Sequence, residues 1–251
     1  KPKTILGMHT TFKVAINYAV NEEIIFKNRF RSIKVEQEER TDNFLSPEEL
    51  EILLKAAKKY GNSTQYSLIL LLAFSGVRKG EALGLCWKNV NFDNNTITIE
   101  RTRDNEGVRP PKTKNSYRTI EMDEDVMHQL KRYLKECKEW KLSYGSTLEN
   151  DDFVFITSKN IDGIYPAYID KFLYKLYNIL DNDNIKIKKI TPHGLRHTHA
   201  TILIDELIPP TDIADRLGNT LEMIYRVYAH SFRKAESKTV RAFSERVSFG
   251  A

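Results

Sequence analysis

The chain has 251 residues, 41% of them hydrophobic and 29% charged, with a net charge of +5. This is the composition of an ordinary globular protein, large enough for one main domain with a smaller appendage. No apolar run approaches the roughly 18 residues of a membrane span, and Lys1-Pro2-Lys3-Thr4 lacks the apolar stretch that follows in a secretory signal.

Cys86 and Cys137 are far apart and match no metal spacing, so they are expected to be free thiols of a cytoplasmic protein. The charge is unevenly placed. Residues 1–34 carry seven Lys/Arg against two acids, Glu22 and Glu23, while the rest of the chain balances 32 basic residues with 32 acidic ones. A basic excess confined to one short segment suits a module that grips phosphate. A solvated basic helix face is the plainer alternative.

In chain order, residues 8–25 place Phe12, Ala15, Ile16, Tyr18, Ala19, Ile24 and Ile25 at helical spacing. The polar stretch at 35–43 reads as a linker. Ser46-Pro47-Glu48-Glu49 predicts a helix start, with Ser46 as N-cap, Pro47 in the first helical position, Glu49 completing a capping box, and Leu45 and Leu50 as its staple. That helix is expected to end near Gly61. A strongly apolar helix through Leu68-Ile69-Leu70-Leu71-Leu72-Ala73-Phe74 then stops at Gly76 and is expected to be buried on most sides.

After Trp87 the period changes. Thr96–Glu100 and Arg118–Met122 alternate as strands, and the intervening Gly107, Pro110 and Pro111 suit a loop or hairpin tip. Helical periodicity returns at 124–141, at 166–180 and from Pro192 onward. The predicted body is mainly α with a small antiparallel β-sheet, an α+β arrangement and not a βαβ repeat.

Four stretches carry residues suited to metal-free phosphoryl transfer. Arg78, in Gly76-Val77-Arg78-Lys79-Gly80-Glu81, can present paired donors to phosphate oxygens, with Glu81 steering it; taken alone it also reads as a surface arginine at a helix start. Lys112 and Lys114 sit beside the predicted hairpin, where an ammonium can protonate a leaving oxygen, or where it is simply solvated.

His193 and Arg196, three apart after Thr191-Pro192, share a helix face. The histidine can take a proton near neutrality, and the arginine can hold an oxygen. His197 and His199 invite a metal reading with His193, but the spacing does not put all three on one face, and local packing is the alternative. Tyr228, in Tyr225-Arg226-Val227-Tyr228-Ala229-His230 downstream of Leu217-Gly218-Asn219, offers a phenolic nucleophile; the bland reading is a half-buried tyrosine on a late helix.

In order along the chain, these pieces closely resemble the tyrosine recombinase (phage integrase) family. The matching stretches are Gly76-Val77-Arg78-Lys79-Gly80-Glu81, Lys112, His193-Gly194-Leu195-Arg196-His197-Thr198, Leu217-Gly218 and Tyr228-Ala229-His230, and the likeness covers about 44–240. It implies the catalytic fold of that family at 41–251. Residues 1–40 would then be the C-terminal part of a helical core-binding domain plus linker, in a chain that begins part-way through that domain.

The resemblance also implies a site-specific recombinase of a mobile element. Tyr228 would attack the scissile phosphate to give a 3′-phosphotyrosyl link and a free 5′-hydroxyl. Arg78, Arg196 and His193 would stabilise the charge, His193 would act as base and Lys112, or its neighbour Lys114, as general acid. No metal or cofactor is implied. Asn219 stands where the family usually has His or Trp, and is expected to keep a hydrogen-bonding role without the charge.

The implied partners are double-stranded DNA, further copies of the chain in a tetrameric synapse, and a directionality factor, with no membrane. The amphipathic spacing at 231–248 fits a tail that docks on a neighbouring protomer. Two other readings compete: a type IB topoisomerase, and a DNA-binding regulator in which Thr211–Gly218 is half of a helix-turn-helix.

Overall fold

In a computed structural model, the structure describes residues 2–30, 43–111 and 113–229. The chain divides into two compact units, 1–42 and 43–251. Within the first, helix α1 (Pro2–Asn21) starts earlier than its apolar spacing predicts and stops earlier too. Glu23 takes a positive φ of 58°, which ends the helical path. The chain then folds back, so that Phe30 meets Phe12 edge to face at 5.0 Å and Asn28 donates to Asn17 Oδ1 at 2.6 Å.

The second unit opens on α2 (Pro47–Tyr60), and its start is the one predicted. Ser46 accepts from the backbone N–H of Glu49, the Glu49 side chain accepts from the Ser46 N–H, and Pro47 occupies the first turn. Helix α3 (Ser63–Ser75) repeats the device with Asn62 and Gln65. Its residues Ser67 to Ala73 are all buried, so its central two turns have no solvent face. It is the central post of the core, packed by α2, α5 (Glu124–Ser143), α6 (Tyr168–Asn182) and α7 (Pro192–Asp205).

After the short α4 (Lys79–Gly84), strands β1 (Val90–Asn91), β2 (Thr96–Ile99) and β5 (Arg118–Glu121) form an antiparallel sheet in the order β1-β2-β5. Ile97 pairs with Ile120 on the core face, while Thr98 and Thr119 pair on the other. Alternation is thus the cause of the register. The stretch expected as a loop or hairpin tip is a second, two-stranded hairpin, β3 (Thr102–Asp104) and β4 (Gly107–Arg109). Arg109 is paired with Asp104 and Glu106 across it. Cys86 and Cys137 are free and buried, and among the described residues no helix is long and apolar enough to cross a membrane.

The helical pattern that begins at Pro192 does not run unbroken. α7 ends at Asp205, Leu207 takes a positive φ of 59°, and the Pro209-Pro210 pair forces a new start for α8 (Pro210–Leu217). Gly218 closes α8 in the left-handed conformation, at φ 62°, as a C-terminal glycine can without Cβ strain. A last helix, α9, spans 221–229. A small apolar cluster of Ala200, Ile204, Ile213, Ala214, Leu217, Ile224 and Tyr228 ties α7, α8 and α9 together.

One buried polar seam fixes this cluster to the main core. Arg216 donates through Nε to His199 Nε2 at 3.0 Å, and through its other nitrogens to the carbonyls of Glu121 and Phe74. His199 Nδ1 lies 2.9 Å from the Ala73 carbonyl. An imidazole that accepts at Nε2 must carry its proton on Nδ1, so His199 is neutral and both its nitrogens are committed.

Two outcomes test this description. Ser46→Ala should lower unfolding free energy by about 1 kcal/mol, read by urea denaturation, with no change in secondary structure. The second concerns acid. Burial, then the charges of Arg216 and Arg196, push His199 down to about 4 from an ordinary 6.5. The unfolded chain therefore takes up this proton first as pH falls. The His199 contribution is complete above about pH 6.5 and is lost toward pH 4. Urea midpoints should fall across that window, and His199→Gln should flatten the slope by up to about 1.4 kcal/mol per pH unit. An unchanged slope would contradict the neutral seam.

Candidate active site

The site forms where the C-terminus of α3 meets the starts of α4 and α7. α3 ends on Gly76, at φ 64°, where a Cβ would stand 2.6 Å from Leu217 and 2.8 Å from His199. Only glycine lets the three segments approach this closely. Its carbonyl accepts from Arg196 Nη1 at 2.8 Å, and two residues on, Arg78 begins α4.

Arg78 is held from two sides. Glu81 Oε1 accepts from its guanidinium and Glu81 Oε2 from its backbone N–H, both at 2.8 Å. On the other flank Arg78 Nη2 donates to Asn219 Oδ1 at 2.6 Å. Glu81 is only 3% exposed. Burial by itself would raise its carboxyl, but Arg118 and Arg78 hold it below the usual carboxylate range. It is therefore an ionised anchor.

α7 starts at Pro192, so His193, Arg196 and His197 follow in its first two turns. Arg196 is 2% exposed. Burial, then the repulsion of Arg78, lowers it to about 9, which leaves it cationic at neutral pH. One of its nitrogens, Nη2, is buried and has no hydrogen-bond partner among the described residues. An unsatisfied buried donor on a charged group costs more than an ordinary lost hydrogen bond, and an anion would satisfy it.

His193 stands exposed at the rim. The surrounding protein, then the charges of His197, Arg196 and Arg78, push it down to about 4, so it is neutral and able to accept a proton. Its ring meets that of His197 edge-on at 4.7 Å, and His197 meets Tyr228 at 5.6 Å.

Tyr228, on α9, is 4% exposed. Burial raises its phenol to about 12 against the opposing pull of Arg196 and Arg78. The phenol is thus protonated at rest, within the field of both arginines.

The structure brings together Arg78, His193, Arg196, Asn219 and Tyr228, which lie far apart in sequence. Lys112 lies outside the described residues. Lys114 begins a short 3-10 turn, Lys114–Ser116. His199, one member of the conceivable metal trio, has both nitrogens engaged and faces the seam. Among the described residues no group of three or more His, Cys, Asp or Glu is placed to hold a metal.

Asn219 makes a hydrogen bond, and it is its carbonyl oxygen that faces Arg78. Only its amide N–H groups remain to meet a ligand. Sequence reasoning missed Arg118. It lies at the start of β5, side chain 7% exposed, and donates to Glu81 Oε2 at 2.9 Å. Nothing local in the sequence marks it, since Glu81 and Arg216, two of its partners, are distant in the chain.

The chemistry on offer is specific. Arg78 and Arg118 bond one buried carboxylate and Arg196 lies within its field, so the site gathers three guanidiniums against one carboxylate. Such preorganised donors stabilise charge that develops on phosphoryl oxygens. A neutral imidazole and a phenol complete a base and a nucleophile.

Known proteins resemble the chain in sequence and in fold. The model described as the Phage integrase family matches residues 43–235. A "Tyrosine recombinase XerC-like" protein of Caldanaerobacter subterraneus subsp. tengcongensis is 29% identical, over 97% of this chain and 66% of its own length. The transposase from transposon Tn916 of Enterococcus faecalis is 31% identical, over 91% of this chain and 58% of its own. The chain thus spans less than two thirds of the length of these relatives. In fold, it is similar to the Tn1549 transposon integrase solved in complex with transposon right end DNA, with a TM-score of 0.77 and 24% identity, over 95% of this chain and 79% of that one. With three quarters of its length matched, including every candidate residue discussed, the chain belongs to the phage integrase family.

Proposed function

We propose that this chain is the catalytic part of a site-specific DNA recombinase that integrates and excises a phage or other integrative element. The observation that carries the reading is the Nη2 of buried Arg196, unpartnered among the described residues, on a guanidinium that lies within the field of Arg78 and Tyr228. The relatives named as transposon proteins support a mobile-element setting.

The steps follow from the groups present. Arg78 and Arg196 hold the non-bridging oxygens of a scissile phosphate, with the Asn219 amide as a further donor. The Tyr228 oxygen attacks phosphorus while its proton passes to His193, which is neutral and therefore ready. His197 packs on both rings and so sets the spacing of base and nucleophile. A phosphorus–oxygen bond forms to Tyr228, and the bond to the 5′ oxygen breaks.

Lys112 supplies the proton to that 5′ oxygen, Lys114 being its alternative. The phosphotyrosine conserves the energy of the broken ester. Attack by the 5′-hydroxyl of a partner strand therefore reverses the chemistry and exchanges strands without a cofactor.

Double-stranded DNA is the substrate and further copies of the chain are partners, assembled as a tetramer on DNA and biased by a directionality factor. The basic N-terminal unit, as the end of a core-binding domain, adds phosphate contacts. The proposed protomer-docking tail at 231–248 lies outside the described residues.

A nicked suicide substrate tests the reading. The native chain should form a covalent adduct, while Tyr228→Phe should form none yet bind DNA with nearly unchanged affinity. An adduct that survives this change would move the nucleophile elsewhere, with Tyr225, one turn earlier on α9, the first suspect. Arg196→Lys keeps the charge but loses the forked geometry, and cleavage should slow by about 100–1000-fold. Exchange of strands between two site-bearing duplexes separates recombination from simple relaxation.

A further inference from the structure

We infer that Arg118 is a positioning residue for catalysis, which sets both sides of the clamp on Arg78. The inference rests on the proposed role of Arg78 as a phosphate-binding group.

Arg118 spends its guanidinium on three separate segments. Nη2 donates to Glu81 Oε2 at 2.9 Å, Nε to the carbonyl of Arg216 at 2.7 Å, and Nη1 to the carbonyl of Ser116 at 2.9 Å. Each contact bears on a candidate residue. Glu81 holds the guanidinium and backbone of Arg78. The Arg216 carbonyl lies at the C-terminus of α8, three residues before Asn219, whose Oδ1 accepts from the opposite flank of Arg78. Ser116 ends the turn that carries Lys114.

The fit is close as well as complete. A Cβ on Gly218 would stand 2.8 Å from Arg118 Nη1 and 2.8 Å from the Asn115 carbonyl. Glycine at this position therefore admits the guanidinium between the α8 terminus and the turn. The Arg118 side chain is nearly buried and its guanidinium is engaged by Glu81, Arg216 and Ser116, so its role is to hold these segments rather than to meet a ligand.

Its planar, five-donor group is what a hub of this kind requires. A lysine at the same place is a point charge and can follow Glu81 but cannot reach two carbonyls as well. The consequence is that Arg78, which is 38% exposed in its side chain and so has room to stray, is aimed by a residue that never meets the substrate.

The test is Arg118→Lys in the full chain, read by three measurements on the nicked suicide substrate. These are the single-turnover rate of adduct formation, the affinity for DNA, and the melting temperature. The expected result is a rate at least tenfold lower with affinity changed less than twofold. In an Arg78→Lys background, followed over hours, adding Arg118→Lys should lower the rate less than twofold further, because the aimed group is already compromised.

Equal fold-losses in both backgrounds, or a rate loss matched by loss of affinity, would overturn the inference. So would loss of rate accompanied by melting below the assay temperature in Arg118→Lys while Arg118→Gln melts above it and keeps full rate. The underlying reading fails separately: it falls if Arg78→Lys alone leaves the adduct rate unchanged.

Discussion

The site depends on one buried carboxylate. Glu81 has almost no contact with water, and it accepts from the side chain and backbone of Arg78 and from Arg118. A carboxylate so placed is tolerable only because charge meets it on both sides. Removing one partner of such a buried pair typically costs about 3–5 kcal/mol. The arrangement therefore contributes little net stability but fixes geometry. It converts Arg78, a long and partly exposed side chain, into a directed donor.

Around that anchor the described residues gather Arg78, Arg118 and Arg196 against the one carboxylate. Arg196 lies buried with one nitrogen unpartnered among the described residues, and Arg78 and Arg196 repel one another. Such strain is expected where binding of an anion relieves it. The same field opposes the desolvation that raises the Tyr228 phenol. The phenol is thus protonated at neutral pH, and the ring of His197 stands between it and the neutral His193. In the proposed reaction, the remaining step is to bring a phosphate and this phenol into register.

Local signals in the sequence carried much of this. The Ser46–Glu49 capping box, the apolar run of α3 and the alternation of β2 and β5 are short-range patterns, and the structure follows each one. The order of Arg78, His193, Arg196 and Tyr228 pointed to one candidate site, because those residue types are individually ambiguous, and the structure brings them together. The break after α7 was hidden, since Leu207 in a left-handed conformation leaves no mark in an apolar pattern, although Pro209-Pro210 does.

The supporting arginines were hidden for a different reason. Arg118 and Arg216 each bond carbonyls far away in the chain, those of Arg216, Glu121 and Phe74, and a carbonyl has no residue identity to read. Asn219 shows the limit from the other side. Its position was legible, but only the fold reveals that its oxygen is spent on Arg78. The neutrality of His199 likewise follows from Arg216, seventeen residues away, and not from any feature of its own helix.

The central claim, that Tyr228 is joined to a 3′ phosphate in a site built on buried arginines, is tested most directly by mapping the covalent product. The trapped protein–DNA adduct should be digested with protease and nuclease and the modified peptide sequenced by mass spectrometry. The account predicts a nucleotide linked through its 3′ phosphate to Tyr228, within the peptide that contains Val227 and Ala229, and a free 5′-hydroxyl on the other fragment. A 5′-phosphate linkage, or modification of any other residue, would contradict it.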